Sequence, residues 1–276
     1  RPGLVLLERI GLRRPIERIG TALDSHRCLT TGRSSTAAET DRPALVAVDR
    51  ARLAELIEAS VYDRVRAVDR PVQRVEPEGS GVRVDFEGGL AESFDAVVTT
   101  TRPLVADHPA PTPGRGVHSW SFDWPAGRST PPAPAEAWDG RRGVLFVPTA
   151  DRPHVRLVST AAVDAASALS IAELERRFGG LFEGVGRPFA ELDQQQLRYA
   201  RTAAVTPATV TAEGVVAVGA AGRPALPGDC LGAALGVEDG WVLADALAYG
   251  PVGVGEALDA YQRRRRRRQR AIADTV

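Results

Sequence analysis

The residues best placed to do chemistry lie between Val215 and Leu247. Val215 to Val218 is an apolar run bounded by Gly214 and Gly219, the pattern of a short buried strand. A loop rich in glycine and proline follows, from Gly219 to Gly232. Ala233, Leu235, Val237, Val242, Leu243, Ala246 and Leu247 then recur at helical spacing, with Glu238 and Asp239 between them. Strand, small-residue loop and helix start, in that order, let backbone N–H groups approach a bound cofactor closely. The helix dipole favours negative charge at that end. A strand–loop–helix of any α/β protein shares this outline, so the individual residues have to supply the specificity.

Those residues resemble the C-terminal flavin motif of FAD-dependent monooxygenases of the para-hydroxybenzoate hydroxylase type. That motif runs G-D-A-A-H, P-x-x-G-Q-G, A-x-E-D-A and L-A-x-x-L. Gly219, Ala221, Pro227, Gly232, Glu238, Asp239, Leu243, Ala244 and Leu247 fall on it in register. Three positions depart from it. Ala220 stands in place of the Asp that holds the ribityl chain, Arg223 in place of His, and Cys230 in place of the first Gly of the G-Q-G turn. The resemblance implies FAD contacts at Gly219, Ala220, Pro227, Leu231, Gly232 and Ala233. The helix start would stabilise the reduced flavin ring.

Upstream segments extend the resemblance. Gly3 to Arg9 reads as a buried strand ending in an acid, and Glu8 resembles the carboxylate that accepts hydrogen bonds from the adenosine ribose. A solvated Glu at an ordinary strand end reads the same way. The chain lacks Met and opens on Arg1. The resemblance therefore implies that the first strand, its G-x-G-x-x-G turn and the first helix precede this point. Leu45 to Val48 is a strand candidate. Asp49 is placed to cap a helix through Leu53, Leu56, Ile57 and Ala59. Arg50 opens that helix, where the family carries an Arg that reaches the FAD phosphates; a planar guanidinium suits that task, and a solvated Arg fits equally well.

Three short strands are expected at Val65 to Val68, Val72 to Val75 and Val82 to Phe86, with a turn at Glu78 to Ser80. The resemblance puts Val72 near the adenine. Phe94 to Thr101 reads as a strand entering a loop, where Thr99, Thr100, Thr101 and Arg102 replace the family's Asp-Gly pair. Ile10 to Asp41 shows no sustained period and reads as loop.

The elements that must hold the substrate lie between these ends. Pro103 to Pro134 carries eight prolines, which forbid regular structure over most of it apart from Val117 to Phe122. Val144 to Val147 and His154 to Ser159 read as an antiparallel pair. Trp120, Phe122, Trp124 and Phe146 would form its core or line a pocket. Ser170 and Glu173 fit a capping box for a helix from Ile171 to Phe178. Arg198 to Thr206 resembles the strand that returns to the FAD domain. A last helix, Gly255 to Ile272, carries six consecutive arginines from Arg263 to Arg268, which spread around it and read as an exposed surface.

Composition narrows the classes. Of 276 residues, 43% are hydrophobic, enough to build a folded core. The formal net charge is zero, and no aromatic platform accompanies the arginines, so nucleic acid is not an expected partner. Two cysteines, Cys28 and Cys230, make neither a disulfide framework nor a four-cysteine metal site. Cys230 would be a reactive thiol at a helix start or a small residue replacing glycine. The histidines lack metal-ligand spacing. No apolar run reaches the ~20 residues of a membrane span. A cytoplasmic protein is expected, with no membrane partner.

The expected fold is therefore α/β (α+β). A Rossmann-like FAD-binding domain is built from both ends of the chain, residues 1–101 and 201–276, and a mostly antiparallel β substrate domain is inserted at 102–200. The resemblance implies an FAD-dependent oxidoreductase that hydroxylates a small organic substrate with O2 and NADH or NADPH as electron donor. The departures at Ala220 and Thr99 also fit a degenerate homologue that keeps the fold and binds flavin weakly or not at all.

Overall fold

The computed structural model describes residues 2–23, 27–30, 33–36, 45–100, 116–124, 135–149, 153–164, 167–182, 188–202, 213–222, 232–250 and 253–273. In chain order the helices and strands are α1 (Pro2–Arg9), α2 (Arg13–Ile19), β1 (Thr21–Leu23), β2 (Arg27–Thr30), β3 (Arg33–Thr36), β4 (Leu45–Ala47) and α3 (Arg50–Val61). Then come β5 (Val72–Glu78), β6 (Gly81–Phe86), β7 (Ala91–Phe94), β8 (Val97–Thr99), β9 (Val117–Asp123), β10 (Ala135–Trp138), β11 (Arg142–Val147) and β12 (His154–Ser159). Last are α4 (Ile171–Phe178), β13 (Arg198–Thr202), β14 (Val215–Ala217), α5 (Gly232–Tyr249) and α6 (Val254–Ala273). They form two compact units. The first holds residues 8–61 and 115–204, and the second holds 2–7, 62–114 and 205–276.

The first unit is built on a seven-stranded sheet in the order β13-β9-β12-β11-β10-β2-β3. Every neighbouring pair is antiparallel except β2 with β10. Strand alternation puts His118, Trp120 and Phe122 of β9 on one face, level with Val144 and Phe146 of β11 and Val155 and Leu157 of β12. That face is closed by Leu174 and Phe178 of α4 and by Phe189, Leu192 and Leu197. The aromatic residues of this stretch are thus core. Ser170 caps α4, its Oγ accepting the Glu173 N–H at 3.3 Å, which stops the helix at the expected residue. The Glu173 carboxylate does not complete the box. It accepts from Arg176 and Arg177 instead, and those bonds bring its pKa down to about 2.

The second unit contains an antiparallel meander, β5-β6-β7, and the parallel pair β8–β14. Val75, Val82 and Val84 pack with Val215. Val216 and Val218 pack with Leu243 and Ala246 of α5 and with Leu258 and Tyr261 of α6. Among the described residues no helix is long and apolar enough to cross a membrane.

Several expectations change. Gly3 to Arg9 is helix α1, not a strand. Gly3 and Leu7, four residues apart, are buried and Val5 is 45% exposed, which is a helical pattern; a short apolar run leaves that choice open. Ile10 to Asp41 contains α2 and three strands rather than loop alone. Val65 to Val68 is not a strand; Val65 and Val68 are exposed and have no apolar face to cover. The segment Phe94 to Thr101 is divided, with Phe94 ending β7 and Val97–Thr99 forming β8. The third strand of the meander, Ala91–Phe94, carries no apolar alternation and was not anticipated. β13 pairs with β9 in the seven-stranded sheet rather than returning to the other unit. Residues 8–61 likewise group with that sheet, because β2 pairs with β10.

Candidate functional site

The strand–turn–helix of residues 215–249 stands in the second unit, as its residue types require. β14 is buried on both sides, so all of Val215, Val216 and Ala217 are apolar. Its pairing with β8 is tied at both ends: Val97 N–H donates to the Gly214 carbonyl and Val218 N–H to the Thr99 carbonyl, each at 2.9 Å. At the C-terminal end of this parallel pair the chain enters a 3-10 turn, Gly219–Ala221. Ligands of parallel sheets gather at that end.

Gly219 takes φ 59°, and among the described residues no atom lies within 4 Å of the place its Cβ would occupy. The backbone of the turn is therefore open on that side. At Gly222 a Cβ would stand 2.7 Å from the Ala217 carbonyl oxygen, so the turn folds back tightly only with glycine there. Helix α5 opens at Gly232. A Cβ at Gly3 would stand 2.9 Å from the Ala234 Cβ, so the first turns of α1 and α5 meet closely.

The turn is held from behind by charge. Asp239 is 1% exposed, and its Oδ2 accepts the Gly219 N–H at 2.7 Å. Its Oδ1 pairs with Arg265 Nη2 at 2.5 Å. Arg265, 6% exposed, also reaches Glu238 at 3.4 Å, and Arg268 meets the same carboxylate at 3.2 Å. Tyr261, one turn before Arg265, donates its hydroxyl to the Ala217 carbonyl at 3.4 Å. Burial, and then the Asp239 charge, push its phenol pKa up. Two carboxylates on an apolar helix thus meet two arginines of α6 directly behind the turn.

This cluster overturns the reading of Arg263 to Arg268 as an exposed surface. Leu258, Tyr261 and Arg265 follow one another at helical spacing on the buried side of α6. Arg264, by contrast, is exposed and pairs with Asp245. The signal was present as two adjacent acids, Glu238 and Asp239, at buried positions of an apolar stripe, which need cationic partners.

The other anticipated residues fall as follows. Ala220 lies in the 3-10 turn and brings no carboxylate to it. Gly232 is half-buried and Ala233 exposed at the start of α5. Pro227 and Leu231, with Arg223 and Cys230, lie outside the described residues. Val72 begins β5 opposite Phe86, its side chain exposed. Arg50 is exposed in the first turn of α3, whose cap is made by Asp49 Oδ1 accepting from the N–H groups of Ala51 (2.9 Å) and Arg52 (3.1 Å). Glu8 is not at a strand end. It sits in the last turn of α1 and pairs with Arg13 at 3.4 Å, so the ribose-binding geometry expected of it is absent. Among the described residues no group of His, Cys, Asp and Glu could hold a metal ion.

No protein-family model and no curated protein matches this sequence. Solved structures do. Klebsiella pneumoniae HpxO, complexed with FAD and uric acid, superposes with TM-score 0.75 at 19% identity, over 99% of this chain and 75% of that one. P. aeruginosa PqsL in complex with 2-aminobenzoylacetate gives TM-score 0.76 at 17% identity, over 98% of this chain and 81% of that one. The tetracycline destructase Tet(51) gives 0.64 at 16% identity, over 97% and 75%. The chain has the mixed helix-and-sheet fold of these structures.

Proposed function

We propose that this chain is an FAD-dependent oxidoreductase, a monooxygenase that hydroxylates a small organic substrate with O2 and NADH or NADPH. The observation that carries the reading is the turn Gly219–Ala221 at the C-terminal end of β8 and β14, open where a Cβ of Gly219 would stand. Its fold is that of HpxO, a structure complexed with FAD and uric acid. The residues present fit the flavin through backbone and small side chains. When bound, FAD supplies the redox chemistry.

The chain's own residues bind and orient. Gly219 and Ala220 let the ribityl chain approach the backbone of the turn, and Asp239 keeps that turn in place through the Gly219 N–H. Gly232 and Ala233, with Pro227 and Leu231 before them, bring the start of α5 toward the flavin ring. Arg50 serves the phosphates, and Val72 stands by the adenine. The part of the chain holding residues 215–249 is the flavin domain, and the seven-stranded sheet is the substrate domain of a cytoplasmic enzyme. A second reading, a homologue that has lost most of its flavin affinity, is favoured by Ala220 and by Thr99 and Thr100 in place of an Asp-Gly pair.

One variant separates the two. A hydrogen bond to a charged group contributes about 1.5–3 kcal/mol, so Ala220→Asp is expected to tighten FAD binding about tenfold or more. Titration followed by quenching of flavin fluorescence reads this directly. Saturable FAD binding to the parent chain, strengthened in A220D, supports the enzyme. Binding that appears only in A220D supports the degenerate homologue, and none in either protein removes both readings.

A further inference from the structure

The face of the seven-stranded sheet opposite α4 carries a row of side chains that the fold leaves without counterions. Strand register aligns Leu145 of β11, Arg156 of β12, Ser121 of β9 and Arg198 of β13 across four neighbouring strands. All four project away from the aromatic core, because Phe146, Val155, Leu157, Trp120, Phe122 and Tyr199 occupy the alternate positions. Arg156 is half-buried and Arg198 exposed. Among the described residues neither has an ion-pair partner. The carboxylate one row along, Asp123, is taken up by His154 Nδ1 at 2.9 Å. Glu136 shares the row but stands beyond Leu145, two strands from Arg156.

Adjacent strands lie about 4.8 Å apart, so the backbones of Arg156 and Arg198 are about 10 Å apart with Ser121 between them. Two long cationic side chains at that separation can converge above one hydroxyl. Without an anion they repel each other, and a half-buried guanidinium gains little from water. Beside the row the same face is apolar. Val117, Leu145 and Val158 form a buried cluster, and Trp138 packs on it, its ring filling the space above Gly143. A cationic row flanking an apolar floor fits an amphiphilic anion that is flat on one side. Guanidinium forks hold a carboxylate bidentately, and the floor takes a ring.

We infer that Arg156, Ser121 and Arg198 form a binding site for the carboxylate of a planar aromatic acid, with Val117, Leu145, Val158 and Trp138 under the ring. The site itself stands without a flavin; that its occupant is the substrate of the oxidoreductase rests on the reading above. A probe pair tests it: 2-naphthoate and its uncharged isostere 2-naphthamide, titrated calorimetrically into the protein with and without FAD. 2-Naphthoate binds at least about tenfold more tightly than the amide, and the advantage shrinks with added salt. R156Q and R198Q each lose about tenfold or more for the acid and nothing for the amide. R198Q removes an exposed side chain and keeps the parent unfolding midpoint, so a loss there is a loss of binding.

Equal affinity for acid and amide overturns the inference, as does unchanged 2-naphthoate binding in both variants. FAD titrated into the same proteins keeps the two claims apart. Flavin bound without an arginine-dependent acid site refutes this inference alone. An acid site without flavin refutes the oxidoreductase alone.

Discussion

Arg265→Leu is expected to destabilise the protein by about 3–5 kcal/mol, the cost of leaving a buried carboxylate unpaired. Asp239 is 1% exposed, and its other oxygen is committed to the Gly219 N–H. Water therefore cannot replace the lost guanidinium. The neighbouring Arg264→Leu is the internal control. That side chain is 54% exposed and its Asp245 partner 43%, so its loss is expected to cost less than about 1 kcal/mol. Adding Asp239→Asn to Arg265→Leu removes the stranded charge while keeping an acceptor for Gly219, and most of the stability returns. Urea unfolding midpoints read all three variants. Equal shifts for Arg264→Leu and Arg265→Leu would mean that the six arginines act as one solvated surface after all.

Trp120→Ala carries a comparable penalty by a different route. The ring is 1% exposed, edge-on to Phe178 at 5.6 Å and tilted against Tyr199 at 5.4 Å. Its Nε1 donates to the Ala168 carbonyl at 2.6 Å. Truncation removes the contacts of a whole indole and leaves that carbonyl without its donor. The expected cost is about 3–5 kcal/mol. Trp120→Phe keeps most of the volume and loses the hydrogen bond, and is expected to fall well short of that. A near-neutral Trp120→Ala would show that the sheet face under α4 is not the core of the first unit. His118, two residues before, shares a hydrogen bond with Tyr199 at 2.7 Å. Burial lowers its pKa, with Arg201 and Arg177 adding to the effect, so this cluster is uncharged at neutral pH.

These two variants also mark what could be read before the fold was known. Local chemistry was legible. Ser170 and Asp49 announced the starts of α4 and α3, because a capping oxygen acts within three residues of itself. The alternation of β6 announced a one-sided strand, and the apolar Val215 to Val218 a buried one. GLVLLER was misread because an apolar run of that length satisfies both periods, and only its packing against α5 makes it a helix. The sheet membership of β2 and β13 depends on partners about 80 to 110 residues away, which no local pattern encodes. The Asp239–Arg265 pair was hidden for the same reason. Its two halves looked like ordinary surface charges until α5 and α6 came together.

The candidate site was legible as an outline and not as chemistry. Gly219, Ala220 and Gly232 fall in a strand–turn–helix as their types require, while the support for that turn comes from Asp239 and Arg265, to which no role had been given. Glu8 lost its role when its segment proved helical.

The central claim is that the open turn after β14 serves a flavin. The most direct measurement is a visible absorbance spectrum taken after incubation with FAD and gel filtration. It is made on this chain and on the chain together with any residues encoded immediately upstream. The account predicts a flavin band that co-elutes with the protein and bleaches on anaerobic addition of NADH or NADPH. Protein that emerges without flavin from both preparations, still folded by its unfolding transition, would contradict it.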